Sequence, residues 1–167
     1  SSEKLFLNTR GVSVRGRIAN KIGFFSYLTD NQERDPAYVR QLVNIRRAVP
    51  GQGLYKAFKG TGYDYFDARG YFTFNVTKYI DVAFGYDKNF IGNGHRSLFL
   101  SDFGNNNLFL KLNTRIWKLN YQNLFMELHS AEIPGGDKLL PKKYAAMHHL
   151  DVAVTKWLNI GLFEGVI

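Results

Sequence analysis

Residues 63–77 read YDYFDARGYFTFNVT, and their side chains alternate between two kinds of residue. From Phe66 onward the even positions are aromatic, aliphatic or small, whereas most odd positions carry hydroxyl, amide or charged groups. Successive side chains of a β-strand point to opposite sides of the sheet. The stretch therefore predicts a long strand with one apolar face and one polar face.

The same alternation recurs along the chain and predicts about eight strands. A lysine lies in the short polar break after every second strand, and the segments VTKYIDVAFGY (76–86) and VTKWLNIGLFE (154–164) are near copies. This repeat predicts hairpins with short turns at one end of a sheet and longer connections at the other. The four break lysines are Lys21, Lys78, Lys118 and Lys156. The predicted strands cover residues 5–19, 22–30, 62–77, 80–90, 106–117, 119–129, 144–155 and 157–167.

The length of these strands favours a membrane barrel over a soluble sheet. Most have ten or more residues, which is enough to cross a hydrocarbon layer when tilted, whereas soluble strands average about five or six. We therefore expect an all-β, antiparallel transmembrane β-barrel segment, in which residues 1–167 form about eight strands of a larger barrel truncated at both ends. A soluble sheet whose apolar face covers a core is the alternative.

The composition excludes several other classes of protein. The chain has no cysteine, which rules out disulfides and cysteine-based metal or redox sites. No apolar stretch approaches 18 residues, so we expect no membrane-spanning helix. The net charge of +8 has no nucleic-acid recognition motif behind it. We expect this charge to attract anionic glycans or lipid head groups, and we expect no nucleic-acid partner.

Two long connections interrupt the strand pattern. Residues 31–60 form one predicted loop, with a short helix that Asp35 caps, Pro36 begins and Pro50-Gly51 ends. Two interpretations are open: a basic helix that meets an anionic ligand at the barrel mouth, or a helix that only docks on the rim. Residues 89–107 form a second loop, rich in glycine and serine. The predicted helix has an apolar stripe of Val39, Leu42, Val43 and Ile45, and a basic face of Arg40, Arg46 and Arg47.

The blocks GYDKNFIGNGHRSLFLSD (85–102) and NLFLKLNTRIWKLNYQNLF (107–125) carry a resemblance to a known family. The chain resembles the Wzi-type capsule-assembly outer-membrane barrels and, more closely, the RemB-like gliding-motility outer-membrane proteins of Bacteroidetes. The segments VPGQGLYKAFKG, YDYFDARGYF and KWLNIGLFEGVI add to this resemblance. It implies a barrel of the Gram-negative outer membrane that binds surface polysaccharide, in capsule assembly or attachment or in gliding-associated surface organisation. A porin-like diffusion channel is the alternative.

This resemblance implies an anionic surface polysaccharide and outer-membrane lipid as partners, and no cofactor. Aromatic faces stack on sugar rings, while charged and amide groups bind sugar hydroxyls and carboxylates. On one face of the sheet we expect Arg69, Lys111 and Arg115 to converge. The full candidate binding set is Asp67, Arg69, Lys88, Asn89, Asn93, His95, Arg96, Ser97, Lys111 and Arg115.

No residue pattern predicts catalysis or a metal site. The aspartates near the strand ends show no spacing that singles out an acid–base pair. His148 and His149 point to opposite faces of a strand, so at most one of them can join Asp151. Ser97 and Ser101 lack the partner pattern of an activated nucleophile. We therefore expect a protein that is not an enzyme.

Overall fold

The computed structural model describes residues 4–129 and 142–167, which form one antiparallel sheet with a single short helix. The strands follow one another across the sheet in chain order, except that the short β3 pairs beside β4. The antiparallel all-β architecture is thus confirmed. Among the described residues β1 and β9 are the two open edges, so closure into a barrel stays a prediction. The elements are β1 Phe6–Ile18, β2 Ile22–Arg34, α1 Ala37–Arg46, β3 Lys56–Phe58, β4 Gly62–Asn75, β5 Ile80–Asp87, β6 Asn107–Ile116, β7 Leu119–His129, β8 Lys142–Ala153 and β9 Asn159–Val166.

All eight predicted strands are present, with differences at their ends, and the short strand β3 was not predicted. The largest differences are in β2, which continues to Arg34 although the alternation predicted its end at residue 30, and in β5, which ends at Asp87 although it was predicted to reach residue 90. Polar cross-strand contacts hold this extension of β2 in the sheet. The Thr9 hydroxyl donates to Asn31 Oδ1 at 2.8 Å, and the Tyr65 hydroxyl donates to Glu33 Oε2 at 3.1 Å.

Strand register sorts the side chains onto two faces. Phe72 pairs with Phe84, which pairs with Leu110, which in turn pairs with Phe125, so these four residues share one side of the sheet. We call this side the apolar face. Its large side chains are broadly exposed, with Phe72 53 % and Phe84 48 % exposed. Contiguous exposed apolar surface of this kind marks a surface that contacts a partner or lipid. The predicted separation of apolar side chains from polar and charged ones is confirmed. The polar and charged residues on the opposite side of the sheet include Arg69, Lys111, Asn113, Arg115 and Asp151.

The four break lysines lie in turns at one end of the sheet, as predicted. Each lysine lies in the turn of one hairpin: Lys21 between β1 and β2, Lys78 between β4 and β5, Lys118 between β6 and β7, and Lys156 between β8 and β9. The Lys21 carbonyl accepts a bond from the Asn75 amide at 3.0 Å, which ties its turn to the next hairpin. Trp117 and Trp157 are highly exposed at this end. We call it the short-turn end and the opposite one the loop end.

Segments from the loop end pack onto the second face, which we call the loop-covered face. Ile91 and Leu100, from the connection between β5 and β6, contact a buried cluster that includes Phe109, Leu124 and Met126. The expectation of a uniformly polar second face is therefore wrong. At the loop end, the strands β7 and β8 carry apolar residues on both faces of the sheet. The loop between β5 and β6 shields those on the loop-covered face from water.

The helix α1 docks on the same face. Val43 is fully buried and packs with Val49, Tyr63 and Tyr65. The predicted Asp35 cap is wrong, because Pro36 occupies the N-cap position and no side chain caps the helix. Ile45 is 72 % exposed and so does not belong to the packed stripe. No helix in the described part of the chain is long and apolar enough to cross a membrane.

Gly85 leaves room for the side chains of Tyr71 on β4 and Phe109 on β6 to pack over β5. It pairs with Tyr71 on one side and Phe109 on the other, and these two rings lie 6.4 Å apart. A Cβ atom at Gly85 would clash with the Gly70 carbonyl oxygen and with Tyr71. We expect Gly85→Val to lower the free energy of unfolding by about 1–3 kcal/mol, measured by denaturant titration. Gly60→Val is not a suitable control, because Gly60 has a positive φ of 81°.

The matched control is Gly104→Val. A Cβ atom added at Gly104 would meet nothing within 4 Å, and its backbone is not left-handed. This variant should unfold at the same denaturant concentration as the unmodified protein. Equal stability of the Gly85 and Gly104 variants would show that the close approach at Gly85 is not required.

Candidate functional site

A cavity of about 470 Å³ opens at the loop end, between two loops and the loop-covered face. We call it the basic cavity, because four of its lining side chains are arginine, lysine or histidine. The loop after α1 supplies one wall, the loop after β5 supplies another, and Arg69 of β4 comes from the sheet. The lining residues are Pro50, Gly51, Gln52, Arg69, Lys88, His95, Arg96, Ser101, Asp102 and Phe103.

Arg69 is held in place by three groups. Its Nε lies 3.3 Å from Asp67 Oδ2, at ion-pair distance but without hydrogen-bond alignment, and its Nη1 lies 3.5 Å from Asp87 Oδ1. The guanidinium group covers the Tyr27 ring, 4.3 Å from the ring centre. Asn106 steadies Asp67 by donating to its Oδ1 at 2.8 Å. Two carboxylates therefore fix the position of Arg69, and together they exceed its single positive charge by one.

Lys88 links the two loops that border the basic cavity. Its Nζ donates to the Gly51 carbonyl oxygen at 2.8 Å, and its backbone amide donates to Asp87 Oδ1 at 2.7 Å. Burial lowers the pKa of Lys88 from its ordinary value of 10.5, and nearby Asp67 acts in the opposite direction. Ammonium groups removed from water gain from an anionic partner. Lys88 is thus a positioned cation that an incoming anion would stabilise.

Arg96 and His95 are exposed on the rim of the basic cavity. In residues 4–129 and 142–167, no carboxylate lies within ion-pair distance of Arg96. Asp102 is the only carboxylate among the residues that line the cavity. Asp67 and Asp87 lie beside Arg69, whereas Lys88 and Arg96 border the cavity itself. Over the wider site these two carboxylates and Asp102 equal in number the three permanent cations. An anion would therefore be bound by the local placement of Lys88 and Arg96 and not by a net positive charge.

A second, smaller cavity of about 210 Å³ adjoins the basic cavity and shares Lys88, Ser101 and Asp102 with it. Its remaining lining is of two kinds: an amide-rich part and an apolar part. We call it the second cavity. The amide-rich part comprises Asn89, Gly104, Asn105 and Asn107, and the apolar part comprises Leu100, Met126, Leu128, Met147 and Ile167.

The structure brings part of the predicted binding set together. Arg69, Lys88, His95 and Arg96 line the basic cavity, and Asp67 lies behind Arg69. Asn89 lines the second cavity, and Asn93 is exposed at the loop tip. Ser97 shapes the loop, since its hydroxyl donates to the Ile91 carbonyl and accepts from the Phe99 amide at 2.9 Å. Sequence reasoning missed six lining residues, whose place depends on how the loops fold: Pro50, Gly51, Gln52, Ser101, Asp102 and Phe103.

The predicted convergence of Arg69, Lys111 and Arg115 is wrong. Arg69 reaches Asp87, and Asp87 pairs with Asn107, so Arg69 lies level with the first residue of β6. At roughly 3.3 Å per residue, Lys111 and Arg115 lie progressively farther toward the short-turn end. Arg115 Nη2 instead contacts Asp81 Oδ2 at 2.7 Å. Lys111 pairs in register with Ala83 and Leu124 and is partly buried.

The two adjacent histidines face opposite sides of β8, as predicted. On the apolar face, His148 Nδ1 lies 2.7 Å from Asn123 Oδ1, and its ring stacks on Tyr121. His149 is buried on the loop-covered face, where Phe99 packs 5.7 Å from it. Within the described ranges no three histidine, aspartate or glutamate side chains are grouped to hold a metal ion.

Comparison with protein-family models, curated proteins and solved structures found no match to this chain.

Proposed function

We propose that this chain belongs to a β-barrel of the Gram-negative outer membrane that binds an anionic surface polysaccharide at its loop end. The broad apolar face fits contact with lipid, and short turns at one end with long loops at the other are typical of such barrels. Aromatic side chains at the short-turn end, among them Trp117 and Trp157, fit an interfacial girdle.

The observation that carries the binding proposal is the basic cavity. Lys88 and Arg96 offer positive charge, while Arg69 is fixed by its carboxylate partners and by Tyr27. Cations held in a concave site bind carboxylates through charge-assisted hydrogen bonds at little ordering cost. Phe103 and the hydroxyl of Ser101 add an aromatic surface and a polar group suited to a sugar. A uronic acid carries both a carboxylate for the cations and a sugar ring for the aromatic and hydroxyl groups.

The inward loop favours a binding protein over a diffusion channel. Ile91 and Leu100 pack on the loop-covered face, which would be the interior of a closed barrel. A segment anchored in this way narrows any passage along that face. The resemblance in residues 85–102 and 107–125 adds the biological setting, which is capsule assembly or attachment, or gliding-associated surface organisation.

The test is the affinity of the full-length protein, in detergent micelles, for oligogalacturonate, measured by calorimetry. We expect the Lys88→Gln/Arg96→Gln double variant to bind at least about 100-fold more weakly, because each of the two lost hydrogen bonds to a charged group contributes about 1.5–3 kcal/mol. Binding to the unmodified protein should also weaken as salt rises, since screening shortens the reach of these charges.

The matched control removes two cations from the other end of the sheet. Lys78→Gln/Lys118→Gln lowers the net charge by the same amount, and both residues lie in turns outside the basic cavity. This control should bind oligogalacturonate like the unmodified protein. Equal losses in both double variants would mean that net charge alone drives binding. No binding by the unmodified protein would contradict the proposed ligand class.

A further inference from the structure

The two cavities adjoin, and their chemistry differs. They share Lys88, Ser101 and Asp102, so groups bound in the two cavities would lie on either side of the same three residues. The basic cavity offers cations, whereas the second cavity has a mainly apolar lining that includes Met126 and Met147. A purely ionic ligand would leave that apolar lining unused.

The size and lining of the second cavity define what it can hold. A volume of about 210 Å³ equals roughly seven water molecules at their bulk density, which suits one sugar substituent and part of its ring. Methionine side chains adapt readily to small apolar groups. The amides of Asn105 and Asn107, together with Ser101, supply polar partners around this apolar surface. An apolar methyl joined to a polar carbonyl matches both parts of the lining.

Asn89 adds an independent observation. Its side chain is buried in the wall of the second cavity, and its amide nitrogen has no hydrogen-bond partner among the described residues. Buried donors are nearly always paired, so a lone one calls for a partner. The nitrogen is closed off from water, and a ligand oxygen would reach it only after the side chain turns. A carbonyl oxygen in the cavity would supply that partner once the Asn89 amide has turned toward it.

We propose that the second cavity takes the acetyl group of an acetylated sugar while the basic cavity holds the carboxylate of an adjoining or identical sugar. The inference rests on the proposed function and narrows its ligand to an acidic, acetylated glycan. Both N-acetyl and O-acetyl groups present a methyl and a carbonyl, so acetyl is the shared chemistry. The methyl fits against Met126 and Met147, and the carbonyl faces the asparagine side.

The experiment compares matched pairs of probes on the full-length protein in detergent micelles. One pair is hyaluronan oligosaccharides with N-acetyl groups and the same oligosaccharides with N-formyl groups, which lack only the methyl. The other pair is oligogalacturonate with and without O-acetyl groups. We expect the acetylated member to bind about fourfold more tightly, from one buried methyl. A preference in one pair alone identifies the linkage that the cavity accepts.

Two variants probe the second cavity without touching Lys88. Asn89→Leu removes the unpaired donor, so it should maintain or raise stability while it reduces the preference for acetylated probes. Gly104→Leu adds a side chain at the border of the second cavity, where a Cβ atom would meet nothing within 4 Å, so it should reduce the same preference by obstructing the entrance. Leu98→Ala, in the same loop, fully exposed and outside both cavities, is the control and should retain the preference.

The outcomes separate this inference from the proposed function. Equal affinity for both members of each pair, with binding still dependent on Lys88 and Arg96, overturns the acetyl site and leaves the anionic-glycan proposal standing. Failure of every acidic probe to bind overturns both. A preference for acetylated probes that persists in both Asn89→Leu and Gly104→Leu would assign that preference to another part of the protein.

Discussion

Replacing Phe84 with lysine is expected to lower the free energy of unfolding in phospholipid vesicles by about 2–4 kcal/mol. Phe84 lies in the middle of β5, on the apolar face, and its side chain is 48 % exposed. An ammonium group near the middle of a lipid-facing strand must be drawn out of water into hydrocarbon. If this face met water instead, the same change would fall within about 0.5 kcal/mol. Denaturant titration of the refolded protein measures the difference.

Phe74→Lys is the matched control, because the same substitution then lies on the same face at a different depth. Phe74 is the second-to-last residue of β4, near the short-turn end, where lysine should cost only about 0–1 kcal/mol. The depth dependence separates contact with lipid from contact with another protein domain, which has no reason to follow it. A larger loss at Phe74 than at Phe84 would contradict a lipid-facing apolar face.

The division of the sheet into two faces could be predicted because it is a local property. Alternation at Phe72 and Phe74 depends only on neighbours along the chain, and strand geometry turns it directly into two surfaces. The lysine turns were predictable for the same reason, since a short polar break between two such runs is a hairpin signal. The alternation within each strand does not depend on register, whereas the alignment of all strands into one apolar face requires the observed pairing.

The composition of the basic cavity could not be predicted, because it depends on register and loop folding. Arg69, Lys111 and Arg115 share a face by parity, yet the pairing of Asp87 with Asn107 separates them along the strands. Lys88 was recognised as a candidate residue, but its contact with the Gly51 carbonyl joins two loops far apart in sequence. Side-chain periodicity carries no information about such contacts.

The apolar cluster on the loop-covered face was missed for a related reason. Leu124 and Met126 alternate with Phe125, so this part of β7 is apolar on both sides and gives no clear pattern of two faces. A strand of this kind needs a cover on each side, and Ile91 supplies one of them. The run of apolar residues in β7 was a signal that a segment packs over it. It did not reveal which segment.

Replacing Ile91 with alanine is expected to release the loop between β5 and β6 from the sheet. Ile91 is 2 % exposed within the cluster of Phe109 and Leu124, and its amide donates to the Leu100 carbonyl at 3.0 Å. Truncation of a buried isoleucine costs about 2–5 kcal/mol. Because this contact holds a loop and not a strand, the loss should appear as local opening. Hydrogen exchange at the Ile91 and Leu100 amides should accelerate, while β6 and β7 stay protected.

The Ile91→Ala variant also tests whether the loop between β5 and β6 serves to bind a glycan or to obstruct a passage along the loop-covered face. Lys88, His95 and Arg96 belong to this loop or border it, so its release should weaken the binding of oligogalacturonate. If the sheet closes around a lumen, the release should also raise ion conductance in planar bilayers. Leu98→Ala is the control, because Leu98 is fully exposed in the same loop and should change neither property. Unchanged exchange and binding in Ile91→Ala would show that the packing of Ile91 does not hold the site together.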